Sequence, residues 1–265
     1  MGYAQMLLNP LITLITDFGT QDGYVGAMKG YLLQACPSVR LVDISHEIEP
    51  QNIQQAAWCL VRSAPLFPPD TIHIIVVDPS VGSSRPPILL KTLTQWFIAP
   101  DNGIFSELVK RYPPELIYQL HRKTAWWQAH QSFDGLALFS PAAACLANGI
   151  PLDKLGIKTH AITALAGSKP QHAPHQLIGK IILFDRFGNA LTNISADDLV
   201  NLPTKARQVS CQNYLFPLCS HYAEGQDSGL LALINSDGML ELSVYCQSAQ
   251  QQCNLQVGNS VIVQF

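Results

Sequence analysis

The chain has 265 residues, 48% of them hydrophobic and 13% charged, about half the charged share of an ordinary soluble domain, which excludes a disordered tail protein. Its 16 Lys plus Arg against 19 Asp plus Glu give a formal charge of -3, and no basic cluster is long enough to neutralise a row of phosphates, so nucleic acid is not an expected partner. No apolar run reaches the ~18 residues that span a bilayer, and MGYAQMLLNP lacks the basic start and small-residue cleavage site of a signal peptide, so a soluble, cytoplasmic protein without membrane contact is expected.

In chain order, short apolar runs alternate with longer amphipathic ones over residues 1–165, the pattern of an α/β domain with a largely parallel sheet. Strands are expected at Leu11 to Thr16, Arg40 to Ile44, Thr71 to Val77, Ile88 to Lys91 and Trp96 to Ala99. Helical spacing marks Tyr24 to Ala35, Ile53 to Ser63, Ile104 to Lys110 and Ser140 to Ala147, the last ended by Asn148-Gly149. Residues 166–176, containing GSKPQHAPHQ, lack apolar period and read as a linker. Residues 177–265 hold strand-like pieces at Gly179 to Phe184, Leu230 to Ile234, Met239 to Val244 and Ser260 to Phe265, with turn dipeptides Asp237-Gly238 and Gly258-Asn259. They predict a small, all-β, barrel-like domain. The last basic residue is Arg207, so the two ends of the chain differ in charge. The 7 cysteines are scattered with no C-x-x-C pair, which fits buried thiols in a reducing compartment and disfavours structural zinc.

Three apolar runs end in a carboxylate: LITLIT before Asp17, RLV before Asp43 and IHIIVV before Asp78. Strand ends of this kind border the ligand crevice in open α/β sheets, although a lone strand-end Asp is often only a turn or cap. Arg85 follows Asp78 closely enough to hold and orient it. Pro100-Asp101-Asn102-Gly103 is a further turn at the same expected edge. His46, just past a strand end, reads as structural, and Trp126-Trp127 as a surface anchor that marks a subunit contact. No phosphate-binding loop, dinucleotide fingerprint, zinc-binding helix or nucleophile elbow is present, which disfavours nucleoside triphosphates, NAD, zinc and a hydrolase triad. A carboxylate-based metal hydrolase using Asp17, Asp43 and Asp78 stays open on the residues alone.

The ordered motifs LITLITDFGTQDGYVGAMKG, LVDISHEIEP, IHIIVVDPSVGSSR, APDNGIF, FDGLALFSPAAACLANG, FDRFGNALTNI and INSDG together resemble the S-adenosylmethionine hydrolases, or SAM hydroxide adenosyltransferases, relatives of the 5'-fluorinase and 5'-chlorinase. The resemblance runs from Leu11 to Ser243. It implies an α/β domain joined to a small β-barrel, a homotrimer with sites between subunits, and attack of water or hydroxide on the 5' carbon of S-adenosylmethionine to give adenosine and L-methionine. No cofactor is implied, because the sulfonium leaves as a neutral thioether; what the site supplies is an oriented nucleophile in a dry pocket. By motif, Asp78 and Arg85 order the attacking water. Asp17 binds the ribose hydroxyls, Asp22 and Asp185 lie near the methionine end, Phe187, Asn189 and Tyr222 contact adenine, and Ser236 lies near the amino acid.

The sequence departs from the family at Asp134 of Ser132-Phe133-Asp134-Gly135, where the hydrolases have His, and at Leu136-Ala137, where they have Arg-Asp. The family turn VDPG reads VDPS, which puts Ser80 where a positive φ is expected. Asp134 is therefore read either as a substitute base, two carboxylates near one water, or as a change that leaves binding of S-adenosylmethionine or adenosine with slow or lost turnover. A 5'-halogenase is disfavoured by both readings, since Asp78 and Asp134 repel a halide.

Overall fold

The computed structural model describes residues 9–122, 132–165, 169–206 and 208–265. The chain divides into two compact units, Met1–Ala166 and Gly167–Phe265. Among the described residues no helix is long and apolar enough to cross a membrane, and all seven cysteines are free thiols.

The first unit runs β1 (Leu11–Thr16), α1 (Tyr24–Ala35), β2 (Arg40–Ser45), α2 (Ile53–Ser63), β3 (Ile72–Val76), β4 (Pro87–Lys91), β5 (Trp96–Pro100), α3 (Ser106–Arg111), β6 (Leu116–Leu120), α4 (Ser140–Ala147), α5 (Leu152–Leu155) and β7 (Gly156–Lys158). A π-helical turn, Gly135–Phe139, leads directly into α4. The sheet order is β2-β1-β3-β5-β4-β6-β7. Period-2 alternation sends Ile12, Leu14, Ile72 and Ile74 to one face, against Met28 and Leu32 of α1 and Ala143 of α4. Ile15, Ile75 and Phe97 go to the other, against Ala56 and Leu60 of α2 and Leu108 of α3.

The parallel ladders expected from the pattern are present, joined to an antiparallel half. The ladders joining β2, β1, β3 and β5 are parallel, but those joining β5, β4, β6 and β7 are antiparallel, so the sheet is mixed. The physical reason is chain length: the short turn between Lys91 and Trp96, closed by Thr92 N–H donating to Gln95 O at 3.0 Å, can only return the chain as a hairpin, whereas a parallel partner needs a crossover of a dozen or so residues.

The second unit has antiparallel strand ladders. It comprises β8 (Gln171–Ala173), β9 (Gln176–Phe184), β10 (Ala190–Ser195), α6 (Ala196–Val200), β11 (Gln208–Cys211), β12 (Tyr214–Phe216), β13 (Leu230–Ile234), β14 (Met239–Val244), α7 (Ala249–Gln252) and β15 (Ser260–Gln264). The order is β12-β11-β15-β9-β10-β14-β13, with β8 added on β9. β9 pairs with β15 through its first half and with β10 through its second, and a bridge from Leu218 to Ala232 links the two ends of the path. The result is a nearly closed barrel around Leu177, Ile181, Phe216, Leu240, Leu242 and Val263. Part of the stretch 166–176 is thus not a linker: Gln171–Ala173 pairs with β9. Pro174 and His175, the latter at φ +59°, make the tight turn between them, the Pro-then-left-handed pattern of a type II turn.

Candidate active site

Parallel strands β1 and β3 lie side by side with Thr16 opposite Val76, so the residues that follow them, Asp17 and Asp78, emerge at one sheet edge. After β3 the chain turns on Asp78 itself. Ser80 donates both its backbone N–H (3.1 Å) and its hydroxyl (3.0 Å) to Asp78 Oδ1, and Gly82 at φ +83° reverses the chain toward Arg85. Ser80 is not among the positive-φ residues. The expected strain there is absent because the left-handed position is Gly82, and Ser80 instead anchors the carboxylate. Asn102 contributes from the neighbouring turn, donating its side-chain N–H to Val77 O at 2.9 Å; Asp101 accepts Thr163 N–H at 2.7 Å. Both act as loop clamps.

Asp78, Arg85 and Asp134 come together. Arg85 Nη2 is in contact with Asp78 Oδ2 and donates to Asp134 Oδ2 at 2.5 Å. Both carboxylates are 4% exposed and the Arg85 side chain 7%. Phe139, in the π-helical turn below, places its ring 5.6 Å from the guanidinium carbon. Arg85 Nε and Nη1 are buried and find no acceptor among the described residues. Sequence reasoning missed a fourth member: Arg122 Nη1 donates to Asp134 Oδ2 at 3.2 Å, and its Nη2 to the Arg85 carbonyl at 3.1 Å. Two guanidiniums therefore face two carboxylates, in place of the pair of acids under one arginine that the sequence implied.

The loop that carries Asp17 and Asp22 meets the segment before Asp134 through an aromatic wall. The rings of Phe18, Tyr24 and Phe133 meet pairwise at 5.1–5.7 Å, which ties the loop of Asp17 to the residue preceding Asp134. Asp17 Oδ2 accepts Gln51 N–H at 2.8 Å. Asp22 lines a pocket of about 380 Å³ with Tyr24, Phe133 and Leu136.

Among the described residues the three strand-end acids do not form one metal-ligating group. Asp43 is bonded to Lys29 Nζ at 2.5 Å and lies 3.0 Å from His46 Nε2, away from Asp17's and Asp78's partners. Burial pushes its carboxyl up, but the bonds from Lys29 and His46 outweigh that and bring it below the ordinary value. His46 also meets Thr16 Oγ1 at 2.9 Å, and its backbone carbonyl accepts Gly19 N–H at 2.8 Å, so it braces the Asp17 loop as a structural histidine. Among the described residues no group of three metal-ligating side chains occurs. Trp126-Trp127 lies outside the described residues.

In the second unit, Asp185 organises the β9–β10 turn: Oδ1 accepts the N–H groups of Phe187 (2.9 Å) and Asn189 (2.8 Å), and Oδ2 accepts Asn189 Nδ2 at 2.9 Å. Phe187 is left 77% exposed at its tip. Gly188, at φ +81°, is required there, since a Cβ would stand 2.0 Å from Ser248 Oγ. Tyr222 donates to Glu241 Oε1 at 2.7 Å. Glu241, buried, also accepts Asn235 Nδ2 (3.1 Å) and the Ser243 hydroxyl (2.8 Å), and was not anticipated. Burial, then the bond and charge of Glu241, then the charges of Asp185 and Asp237, raise the Tyr222 phenol above its ordinary value. Ser236 is exposed at the tip of the hairpin that Asn235 closes by accepting Asp237 N–H at 3.0 Å. A separate cavity of about 560 Å³, lined by His175, Gln208, Phe216 and Phe265 among others, includes none of the expected site residues.

Comparison with known proteins identifies the family. Residues 12–156 match the SAM hydroxide adenosyltransferase N-terminal domain and residues 179–262 its C-terminal domain. The (R)-S-adenosyl-L-methionine hydrolase of Thermus thermophilus is 31% identical over 94% of this chain and 98% of its own. That of Methanocaldococcus jannaschii is 30% identical over 92% of each. A crystal structure of an uncharacterized conserved protein from Thermotoga maritima superposes with a TM-score of 0.86 at 31% identity, covering 96% of this chain and all of the other. The chain belongs to the SAM hydroxide adenosyltransferase family.

Proposed function

We propose that the protein hydrolyses S-adenosyl-L-methionine to adenosine and L-methionine, by attack of water at the 5' carbon. The observation that carries this is the buried Asp78–Arg85–Asp134 cluster at the strand-end edge of a chain whose relatives are named for that reaction. The water oxygen bonds to C5', the C5'–S bond breaks with its electron pair going to sulfur, and the sulfonium becomes the neutral thioether of methionine. A carboxylate of Asp78 or Asp134 accepts the water's proton, while the uncommitted N–H groups of Arg85 hold its oxygen. Because the leaving group is neutral, neither an acid nor a metal is called for. Rate comes from in-line placement and exclusion of bulk water.

Asp17, a carboxylate able to accept from both ribose hydroxyls, binds the nucleoside. Asp22 and Asp185 lie toward the methionine end, Phe187, Asn189 and Tyr222 against adenine, and Ser236 near the amino acid. The assembly is a homotrimer in a reducing, cytoplasmic compartment. The low charged fraction and the seven free thiols support this.

Purified protein is incubated with S-adenosylmethionine, and adenosine and methionine are followed by chromatography. Both products form, unaffected by a chelator; no adenosine above a heat-killed control overturns the proposal. Light scattering tests the trimer.

A further inference from the structure

We infer that Arg122 is a positioning residue of the reaction centre, acting through Asp134. The inference rests on the hydrolase reading above and concerns a residue that none of the family motifs in this sequence contains.

Strand register places it. β4 and β6 are antiparallel with Ile88 opposite Gln119, so stepping three residues beyond the ladder on each strand brings Arg85 and Arg122 face to face. Arg122 uses that position twice, on the Asp134 carboxylate (3.2 Å) and on the Arg85 backbone carbonyl (3.1 Å). The charged groups facing Asp134 are Arg85, from the loop after β3, and Arg122, from the end of β6. Asp78 is held on the same Arg85 nitrogen. Without Arg122, two buried acids compete for one guanidinium, and nothing fixes how Arg85 divides itself between them. With it, Asp134 has a cation of its own and the Arg85 main chain is pinned. The orientation of the Arg85 Nε and Nη1 groups, which have no acceptor among the described residues, is then determined. Arg122 itself is 32% exposed, reaching in from the rim rather than standing in the cluster. A group that sets the direction of another side chain affects the chemical step more than substrate affinity, because small misplacements at a reacting centre cost rate steeply.

The test is a double-mutant cycle on the full chain: Arg122→Gln, Asp134→Asn and both together, with Arg122→Lys as the conservative variant. Adenosine formation by the unaltered protein checks the activity independently. Arg122→Gln is expected to lower kcat by about tenfold or more while KM changes by less than about threefold. Arg122→Lys restores part of the loss, and the double variant is no worse than the poorer single one. An unchanged kcat in Arg122→Gln, or losses that multiply in the double variant, overturns the inference. Thermal unfolding of the same four variants reads the pairing without reference to turnover. Non-additive shifts support it, and shifts that simply add overturn it even if the hydrolase reading has itself failed.

Discussion

Replacing Arg85 by Met keeps an unbranched stem over the Phe139 ring and deletes the charge that two carboxylates share. Asp78 retains its two bonds from Ser80, and Asp134 retains Arg122 at 3.2 Å. Their Oδ2 atoms, both within hydrogen-bond reach of one nitrogen in the native protein, are left less than two hydrogen-bond lengths apart with nothing between. At roughly 5 Å and an effective dielectric constant of about 20, their repulsion is about 3 kcal/mol. Removing one partner of a buried pair costs about 3–5 kcal/mol by direct measurement in other proteins, so the two estimates describe the same effect and agree. For a unit of this size each kcal/mol shifts Tm by about 2–4 °C, which gives an expected fall of about 6–20 °C. The assay is thermal unfolding of both proteins at neutral pH. A fall of less than about 2 °C refutes the assignment of Arg85 as the shared counter-ion.

His73, fully buried against Phe97 and bonded to Thr13 Oγ1 at 2.7 Å, has its pKa pushed down by burial to about 3. The unfolded chain takes up this proton below about pH 6.5 and the folded chain does not until about pH 3, so its effect on stability is fully favourable above pH 6.5 and is lost as pH falls through that window, at up to about 1.4 kcal/mol per pH unit. His73→Gln therefore flattens the acid side of the stability curve, measured by urea unfolding; an unchanged slope counts against a neutral buried histidine. Burial pushes the Cys59, Cys145 and Cys211 thiols up to about 11, whereas Cys246 is exposed. Limited iodoacetamide treatment at pH 8 should label Cys246 first by peptide mass mapping, and prior labelling of Cys59 would contradict the burial argument. Gly156→Ala should destabilise by about 1–3 kcal/mol, because a Cβ there would lie 2.2 Å from the Gln119 carbonyl oxygen; unaltered denaturant stability would refute the close contact.

Much of the buried charged cluster was legible in the sequence because its members sit in local patterns. Asp78 and Arg85 share one loop, and Asp134 precedes a recognisable apolar run. Arg122 was not, since what recruits it is the β4–β6 register, and β6, LIYQL, mixes Tyr and Gln into a short run that shows no clear alternation. β10 was hidden for a related reason: Thr192 is fully buried, its hydroxyl satisfied by the Leu240 carbonyl at 2.8 Å, so a core position carries a polar residue. Glu241 escaped notice because a carboxylate inside a strand reads as solvent-facing until Tyr222, Asn235 and Ser243 are seen to surround it. The mixed character of the sheet, by contrast, could have been read: four residues between Lys91 and Trp96 are too few for a parallel return.

The π-helical turn at Gly135–Phe139 turns the approach to α4 into a matter of angular phase. An α-helix advances about 100° per residue, and a π turn accommodates one more residue than an α turn before the core-facing side of α4 begins. Deleting a single residue here would close the turn to an ordinary α turn, leaving α4 seated on Ala142 and Ala143 and position 134 in phase with Arg85, whereas deleting one from α4 itself would swing everything upstream by about that angle. The segment thus holds a spare residue that the helix after it lacks.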